Sequence, residues 1–347
     1  MTVGHEFGFE LRVCAWAEQH WRPGDGDEDV PRIVARQLGT RDRRWDTVVV
    51  EVDPDGLAQR RHFGEQRLDS DLLHVVRNAP ADWAFYRDAL PHPGYPWRYV
   101  REAIHRADDR GVLETRRSGN KIEIRRRWPY PDWVERVVAV ENKPDLDASA
   151  ADALADQLER DVALGLADEV WLATASDGDG VERALLTEMP VEAGILAFEV
   201  GDADDAGEAS VEWLPQSLDA DGTGTRITNR PSGGRFDQSA AEFEYVDADW
   251  KAEKRLEIAE RAYERGWRSY VDTMRPDCRH FHLRSAGRGY VPCCAAKDGE
   301  QTAAECSGSC PEYEPEPPAW RQRGWPIEGG PGSTVRDVLS ERRQRRR

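Results

Sequence analysis

The chain has 347 residues, and its 66 acidic side chains outnumber the 48 basic ones to give a formal net charge of −18. At roughly 100–200 residues per domain this length suffices for two or three domains. No apolar run approaches the roughly 20 residues that cross a bilayer, and no basic stretch followed by an apolar one opens the chain. We therefore expect no signal peptide, no membrane contact and a cytoplasmic location. Nucleic acid should repel the chain unless its basic residues are gathered in one place.

Lysine is scarce among the basic residues, since only five of the 48 are lysines and the other 43 are arginines. An acid-rich, lysine-poor surface is similar to that of proteins from salt-loving archaea, in which dense carboxylates keep the surface hydrated. Each lysine therefore stands out from the background.

The first 62 residues predict the opening elements of an α/β domain. Apolar residues at helical spacing predict a helix over 7–21, and a second helix is expected around 30–38. The β-branched run over 45–52 predicts a strand, which the Asp-Pro-Asp-Gly sequence at 53–56 should close with a turn.

Residues 63–130 predict a separate unit. Three short helices over 68–78, 82–90 and 96–110 lead into two strands joined by the turn Ser118-Gly119-Asn120. This order resembles a winged helix-turn-helix, in which the third helix enters the major groove of DNA and the hairpin touches the backbone.

The basic residues are concentrated in that unit. Residues 97–128 contain ten basic and five acidic side chains, a net charge of +5, which leaves −23 on the rest of the chain. The candidate DNA contacts are Arg98, Arg101, His105, Arg116, Arg117, Lys121, Arg125, Arg126 and Arg127. A solvated basic face on a scaffold helix is the alternative interpretation.

Residues 131–214 return to α/β character. A strand over 134–141, a helix over 148–164 capped by Asp147 and Gly165, and a strand over 169–174 predict a right-handed crossover between parallel strands. Edge strands are expected over 194–200 and 211–214. A linker over 215–245, an amphipathic helix over 249–271 within a unit spanning 246–335, and a basic tail over 336–347 complete the predicted organisation.

The strongest chemical signal is Glu141-Asn142-Lys143 at the end of an apolar strand. Residues two apart on a strand share a face, so Glu141 and Lys143 should project together. Glu141 could bind a hard cation such as Mg²⁺, and Lys143 could orient the attacking water or stabilise charge on a phosphate. The alternative is an edge salt bridge worth at most ~1 kcal/mol.

This arrangement resembles the PD-(D/E)XK nuclease superfamily, which has the restriction-endonuclease-like fold, over roughly residues 5–62 and 131–200. The resemblance implies that Glu10 is the acid on the first helix, Asp46 the strand acid, Glu141 and Lys143 the core motif, and Gln157 the accessory polar residue. Asp46 and Glu141 would share one Mg²⁺ or Mn²⁺ ion. The whole chain also resembles a haloarchaeal family that has no assigned activity.

The departure from that family is the long gap between Asp46 and Glu141, which an inserted winged helix over 63–130 explains. Asp132, in Pro131-Asp132, competes with Asp46 as the metal ligand, but its short distance from Glu141 in sequence leaves little room for strand, turn and strand.

Five of the six cysteines lie between positions 278 and 310. Cys278, Cys294 (with Cys293 as the alternate), Cys306 and Cys310 could supply four thiolates to a structural Zn²⁺ ion. His280 and His282 are alternate ligands. An iron–sulfur cluster that also uses Cys14 is the alternative, as in some nucleases of the superfamily that this chain resembles. Either metal would act as a staple for a small segment.

The sequence thus predicts an α/β protein with a restriction-endonuclease-like mixed sheet, an inserted winged helix-turn-helix and a small Cys-rich, metal-stapled C-terminal module. The predicted function is metal-dependent hydrolysis of DNA phosphodiester bonds, as an endonuclease or exonuclease, in repair, recombination or defence. A non-catalytic DNA-binding or regulatory protein on a degenerate nuclease fold is the first alternative. The second is an interaction module whose Cys-rich end recruits a partner. The sequence does not identify protein partners.

Overall fold

The computed structural model describes residues 6–21, 30–176, 181–187, 189–199, 209–219, 221–229, 242–268, 278, 280–286, 289–301 and 310–314. The helices are α1 Glu6–His20, α2 Pro54–Arg60, α3 Ser70–Asn78, α4 Tyr86–Ala89, α5 Trp97–Asp109, α6 Ala148–Leu164 and α7 Ala248–Arg265. The strands are β1 Arg32–Gly39, β2 Arg44–Val52, β3 Ala84–Phe85, β4 Leu113–Ser118, β5 Lys121–Arg126, β6 Val134–Asn142, β7 Glu169–Ser176, β8 Gly194–Glu199, β9 Ala209–Trp213, β10 Gly224–Asn229, β11 Glu242–Val246, β12 Phe281–Ala286, β13 Gly289–Cys294 and β14 Gly299–Glu300. Within these ranges, no helix is both long and apolar enough to span a bilayer.

A mixed six-stranded sheet with the order β1-β2-β6-β7-β8-β9 organises the main body. The pairs β1–β2, β2–β6 and β8–β9 are antiparallel, whereas β6–β7 and β7–β8 are parallel. Helix α1 packs on one face of the sheet, and α6 and α7 pack on the other. The described chain therefore has a three-layer, mixed α/β architecture, which confirms the predicted α/β class with a mixed sheet.

The crossover between β6 and β7 follows the sequence signals closely. The Asp147 carboxylate accepts a hydrogen bond of 2.8 Å from the Ala150 amide, so it caps the first turn of α6. Gly165 ends the helix in the left-handed conformation, with φ of 57°, that glycine adopts without steric cost. The helix bounds and the parallel pairing of its flanking strands are as predicted.

Two local predictions in the first 62 residues are wrong. The segment over 30–38, predicted to be helical, belongs to strand β1, because it pairs antiparallel with β2 along most of its length. The predicted turn at 53–56 is the start of α2, in which Asp53 caps the Gly56 amide at 2.6 Å and Pro54 is the first helical residue. Proline suits that position because its missing N–H would have no partner in the helix.

Helices α3 to α5 and strands β3 to β5 form a unit with a hydrophobic core of its own, which we call the helix–hairpin unit. Its three-stranded antiparallel sheet has the order β3-β5-β4, so the short strand between α3 and α4 pairs with the hairpin. The segment over 82–90, predicted as one helix, divides into β3 and the four-residue α4.

A buried ion pair joins α7 to the base of the helix–hairpin unit. The Arg60 guanidinium donates two hydrogen bonds to the Glu260 carboxylate, and both side chains are fully buried. Glu260 also accepts from the Leu68 amide at 2.7 Å and from the Tyr130 hydroxyl at 2.7 Å. Because Leu68 and Tyr130 lie at the two ends of the unit, this carboxylate fixes both of its connections to the main body.

The region over 215–245, expected to be a linker, contains the antiparallel strands β10 and β11 in its described parts. Helix α7 ends at Arg265, earlier than predicted, and Gly266 follows with a φ of 59°. Beyond it, β12, β13 and β14 form a small antiparallel sheet. The basic tail over 336–347 lies outside the described residues.

Candidate functional site

Gln37, Asp46 and Glu141 occupy facing positions on the neighbouring strands β1, β2 and β6 of the main sheet. Thr47 of β2 pairs with Val140 of β6, so the next positions, Asp46 and Glu141, face each other. Gln37 of β1 lies opposite Asp46. Directly opposed residues of antiparallel strands have Cβ atoms about 4.5–5.5 Å apart, so these side chains are immediate neighbours.

Glu10 of α1 joins these residues through Gln37. The Gln37 amide donates to Glu10 Oε1 at 3.0 Å and to Asp46 Oδ1 at 2.9 Å. The Arg36 guanidinium also donates to both oxygens of Glu10, at 3.0 and 2.8 Å. The predicted first-helix acid and the predicted strand acid are thus linked by one amide group. We call Glu10, Asp46 and Glu141 the carboxylate cluster.

Gln37 has an unusual backbone conformation for a residue inside a strand. Its φ is 54°, in the left-handed region that a side chain other than glycine rarely adopts. That conformation costs about 1–2 kcal/mol and persists where neighbouring interactions fix it. Here the two hydrogen bonds to carboxylates provide such an interaction.

Glu141 is bound by an arginine that the sequence interpretation did not select. Arg43 Nη2 donates to Glu141 Oε2 at 2.8 Å, while the same guanidinium contacts both oxygens of Asp161 at 2.6 Å. Asp161 lies on α6 and is almost fully buried. Arg43 therefore connects the end of β6 to the helix that crosses over the sheet.

The carboxylate cluster is electrostatically strained. Burial, and then the charge of Asp46, raise the pKa of Glu141 to about 8 despite the opposing effect of Arg43. Burial also raises the pKa of Glu10, and Asp46 adds to the increase while Arg36 offsets part of it. Carboxylates whose negative charges disfavour one another are groups that a bound cation would stabilise.

A further series of hydrogen bonds links Asp46 to residues on the α1 side of the sheet. The Asn142 backbone N–H donates to Asp46 Oδ2 at 3.1 Å, and the Asn142 side-chain amide donates to Thr47 Oγ1 at 3.0 Å. The Cys14 sulfur lies 3.3 Å from the same hydroxyl. Burial raises the pKa of Cys14 to about 12, so it remains a protonated thiol at neutral pH.

The other predicted catalytic residues lie outside these contacts. Lys143 Nζ is 2.5 Å from Glu6 Oε1, and in the described structure no hydrogen bond or ion pair joins it to Glu141 or Asp46. Gln157 is half-buried on α6, one turn before Asp161, and makes no side-chain hydrogen bond to a described residue. Asp132 is exposed and precedes β6, whereas Glu141 is near the strand's other end, so Asp132 does not join the cluster.

The carboxylate cluster offers the hard oxygen ligands that Mg²⁺ prefers. However, the oxygens of these residues accept hydrogen bonds from arginine and amide groups. Among the described residues, no group of three or more His, Cys, Asp or Glu side chains is arranged to hold a metal ion. A cation that binds Glu141 would therefore have to displace the Arg43 guanidinium from its carboxylate.

The residues that the sequence interpretation missed are Gln37, Arg36, Arg43 and Asp161. Asp161 had a usable signal, since it follows Leu158 by three positions and so falls on the inward-facing stripe of α6. Arg43 and Gln37 had none, because the pairing of β1 with β2 is what places them at the cluster.

The basic side chains of the helix–hairpin unit fall into two groups. Arg98, Arg101 and His105 are exposed on α5, and Arg117 and Lys121 are exposed near the hairpin turn. By contrast, Arg116 forms an ion pair with Glu123 at 2.6 Å, and both Arg125 and Arg127 contact Glu114. Arg126 is half-buried. The hairpin therefore neutralises part of its own charge.

Four of the C-terminal cysteines lie around one small cavity of about 20 Å³: Cys278, Cys293, Cys294 and Cys310. Cys306, the remaining predicted ligand, lies outside the described residues. Cys14 does not line this cavity and instead contacts Thr47 in the core. His280 pairs with Glu314 at 3.2 Å, and His282 is exposed.

Comparison with known proteins places the chain in a family. Residues 33–315 match the model of a family of unknown function, DUF5787, and since the match covers most of the chain, the protein belongs to that family. No curated protein and no solved structure matches the chain.

Proposed function

We propose that this protein is a metal-dependent DNA nuclease of PD-(D/E)XK type that hydrolyses phosphodiester bonds in repair, recombination or defence. The observation that carries the proposal is the meeting of Glu10, Asp46 and Glu141, from three separate elements, at one end of a mixed sheet. Glu10 is buried and the other two acids are half-buried. Placing three carboxylates together in this way costs stability, and such costly clusters of acids are typical of functional sites.

In this proposal Asp46 and Glu141 hold Mg²⁺ or Mn²⁺, and Glu10 supports them through Gln37. The bound ion would supply a Lewis acid and lower the pKa of a coordinated water. The protein's own part is to orient these carboxylates, with Arg43 released from Glu141 towards Asp161. Lys143 lies just after β6, at the end of the strand that carries Glu141. Its ammonium group would leave its ion pair with Glu6 and bind a phosphate oxygen of the substrate instead.

We also propose that the helix–hairpin unit is a winged helix that binds DNA. The support is its order of elements, the pairing of β3 with the hairpin, and the exposed cations of α5. Helix α5 would contact the major groove, and Arg117 and Lys121 the backbone beside it.

For the C-terminal cysteines we propose a structural Zn²⁺ ion bound by Cys278, Cys294 or Cys293, Cys306 and Cys310. The support is the shared cavity of the described members. An iron–sulfur cluster is less well supported, because Cys14 does not line that cavity and its buried thiol is hydrogen-bonded to Thr47. Metal analysis of aerobically and anaerobically purified protein distinguishes the two metals. A brown protein with an absorbance band near 400 nm would overturn the assignment of zinc.

The alternative function is a non-catalytic DNA-binding or regulatory protein. It is favoured by the ion pairs that occupy the predicted catalytic groups, Arg43 with Glu141 and Glu6 with Lys143. If these pairs are permanent, the sheet is only a scaffold for the helix–hairpin unit.

Incubation with single-stranded, duplex and branched DNA at high salt, with Mg²⁺ or Mn²⁺, distinguishes the two functions. We expect cleavage that is lost in Glu141→Ala and strongly reduced in Lys143→Ala. The matched control is Glu135→Ala, an exposed glutamate on the same strand. DNA binding without cleavage favours the alternative, and cleavage that survives Glu141→Ala rejects the assigned site.

A further inference from the structure

A large cleft lies beside the β1–β2 turn, separate from the carboxylate cluster. Its volume is about 730 Å³, and it is lined by residues 39–42 of that turn, the start of α3, one face of α7 and strand β10. Ligand sites in proteins commonly enclose about 300–1,000 Å³. The next residue of the turn, Arg43, leaves the cleft and reaches Glu141 instead.

The lining of this cleft is basic although the whole chain is strongly acidic. Its charged residues are the cations Arg41, Arg67, Arg226, Lys254 and Arg261 and the acids Asp42, Asp69 and Glu257. The described lining therefore has a formal charge of +2 in a chain of −18. Most of these charges are paired: Asp69 with Arg106, Glu257 with Lys254, Arg67 with Glu264 and Arg226 with Glu244. The positive charge that an anion would meet in the described lining is therefore that of Arg41 and Arg261.

Two of the cations have no carboxylate partner among the described residues. Arg41 is exposed at the turn. Arg261 donates only to the backbone carbonyls of Gly39 and Glu257 among the described residues. Burial lowers its pKa, the charge of Glu257 offsets part of that effect, and neighbouring Arg67 adds to it. A guanidinium in this state gains from an anionic ligand, and its planar set of donors matches phosphate well.

The remaining lining can hold an aromatic ring. Trp250, in the first turn of α7, lines the cleft together with Ile227, Ile258 and Leu164, and it is half-buried against the core of the main body. Bases of any sequence stack on aromatic side chains in nucleic-acid complexes. Cations and an aromatic surface within one cleft match the two parts of a nucleotide.

We propose that this cleft binds a nucleoside phosphate, with Arg41 and Arg261 at the phosphates and Trp250 against the base. A free nucleotide and a nucleotide of a single nucleic-acid strand share this chemistry. The inference goes beyond the proposed function and does not depend on it, because no lining residue belongs to the carboxylate cluster or to α5.

Isothermal titration calorimetry without added divalent metal, at low and high KCl, tests the proposal with ADP, inorganic pyrophosphate and pentathymidylate. We expect ADP to bind more tightly than pyrophosphate, with affinity falling as salt increases. Arg41→Glu should weaken binding tenfold or more, while the matched control Arg44→Glu, on an exposed residue of the same hairpin outside the cleft, should not.

Tighter binding of pentathymidylate than of ADP would support the proposal with a strand as the source of the nucleotide. Arg261→Gln, checked for folding by circular dichroism, should also weaken binding, and Arg41→Glu alone decides if that variant does not fold. The proposal is overturned if none of the three probes binds, if pyrophosphate binds as tightly as ADP, or if Arg41→Glu binds as well as the wild type. Loss of DNA cleavage in Glu141→Ala has no bearing on these outcomes.

Discussion

At the scale of single residues, Gln37 shows how much of the carboxylate cluster depends on one amide group. It holds a strained backbone conformation while donating to two carboxylates at 2.9–3.0 Å. Gln37→Glu replaces these donors with a fourth acid, so we expect a loss of about 1–3 kcal/mol in the free energy of unfolding. Urea unfolding measures it, with Gln59→Glu on the exposed side of α2 as the control. Equal stability of the two variants would show that the amide bridge contributes nothing.

Glu141 gives a pH dependence with a definite sign. Its pKa is raised from about 4.5 to about 8, so the folded state binds the proton more tightly than the unfolded state. Its contribution to stability is therefore fully present below pH 4.5 and is lost as the pH rises to about 8, by at most about 1.4 kcal/mol per pH unit.

The measurement is the difference in unfolding free energy between the wild type and Glu141→Gln from pH 5 to 8 in metal-free buffer. We expect this difference to shift against the wild type as the pH rises. Glu135→Gln, on the same strand but exposed, should show no such trend. A shift in favour of the wild type would mean that Arg43 dominates the environment of Glu141.

At the scale of elements, the buried pair of Arg60 and Glu260 predicts how the helix–hairpin unit is held. Arg60→Met leaves a fully buried carboxylate without its charge partner, which typically costs about 3–5 kcal/mol. Arg106→Met removes a largely exposed pair with Asp69 and should cost less than about 1 kcal/mol. Denaturant unfolding compares the two variants, and similar losses would contradict the special role of the buried pair.

The exposed cations of α5 make a prediction about DNA binding. Neutralising Arg98 and Arg101 together should lower duplex affinity at least tenfold. It should also reduce the slope of log Kd against log salt concentration by about two. Arg61→Ala/Arg77→Ala removes the same charge from exposed positions outside α5. Fluorescence anisotropy with labelled duplex over a salt series compares the pairs. Equal affinity of both double variants would remove α5 from the DNA interface.

Elements with strong local signals were predicted well from the sequence. Helix α6 has a capping aspartate, a regular apolar stripe and a terminal glycine, and its bounds agree with the structure. The helix predicted around 30–38 is wrong, because Ile33, Val34 and Leu38 are spaced as on a helix whereas pairing with β2 makes the segment a strand. Non-local pairing of this kind leaves little trace in a window of a few residues.

The candidate site was predictable only in part for the same reason. The sequence selected Glu10, Asp46 and Glu141, which the structure brings to one end of the sheet. It also selected Lys143, which contacts Glu6. The bridging amide of Gln37 and the ion pair of Arg43 depend on strand register and on the position of α6, and these are properties of the assembled sheet.

At the scale of the whole molecule, the net charge conceals distinct local surfaces. The helix–hairpin unit carries its cations on α5 and near the hairpin turn, and the cleft beside the β1–β2 turn has a positive lining within an acidic chain. The carboxylate cluster places one buried and two half-buried acids at the end of the sheet near that turn. The charge of each local surface therefore differs from what the net charge of the whole chain would predict.

The most direct test of the central claim is anomalous diffraction from crystals soaked in MnCl₂. We predict a manganese peak within direct coordination distance, about 2.0–2.4 Å, of both Asp46 and Glu141, with the Arg43 guanidinium released from Glu141 and still bound to Asp161. Crystals of Glu141→Gln given the same soak should lack the peak. An empty cluster at saturating manganese, with Arg43 still bound to Glu141, would contradict the nuclease proposal.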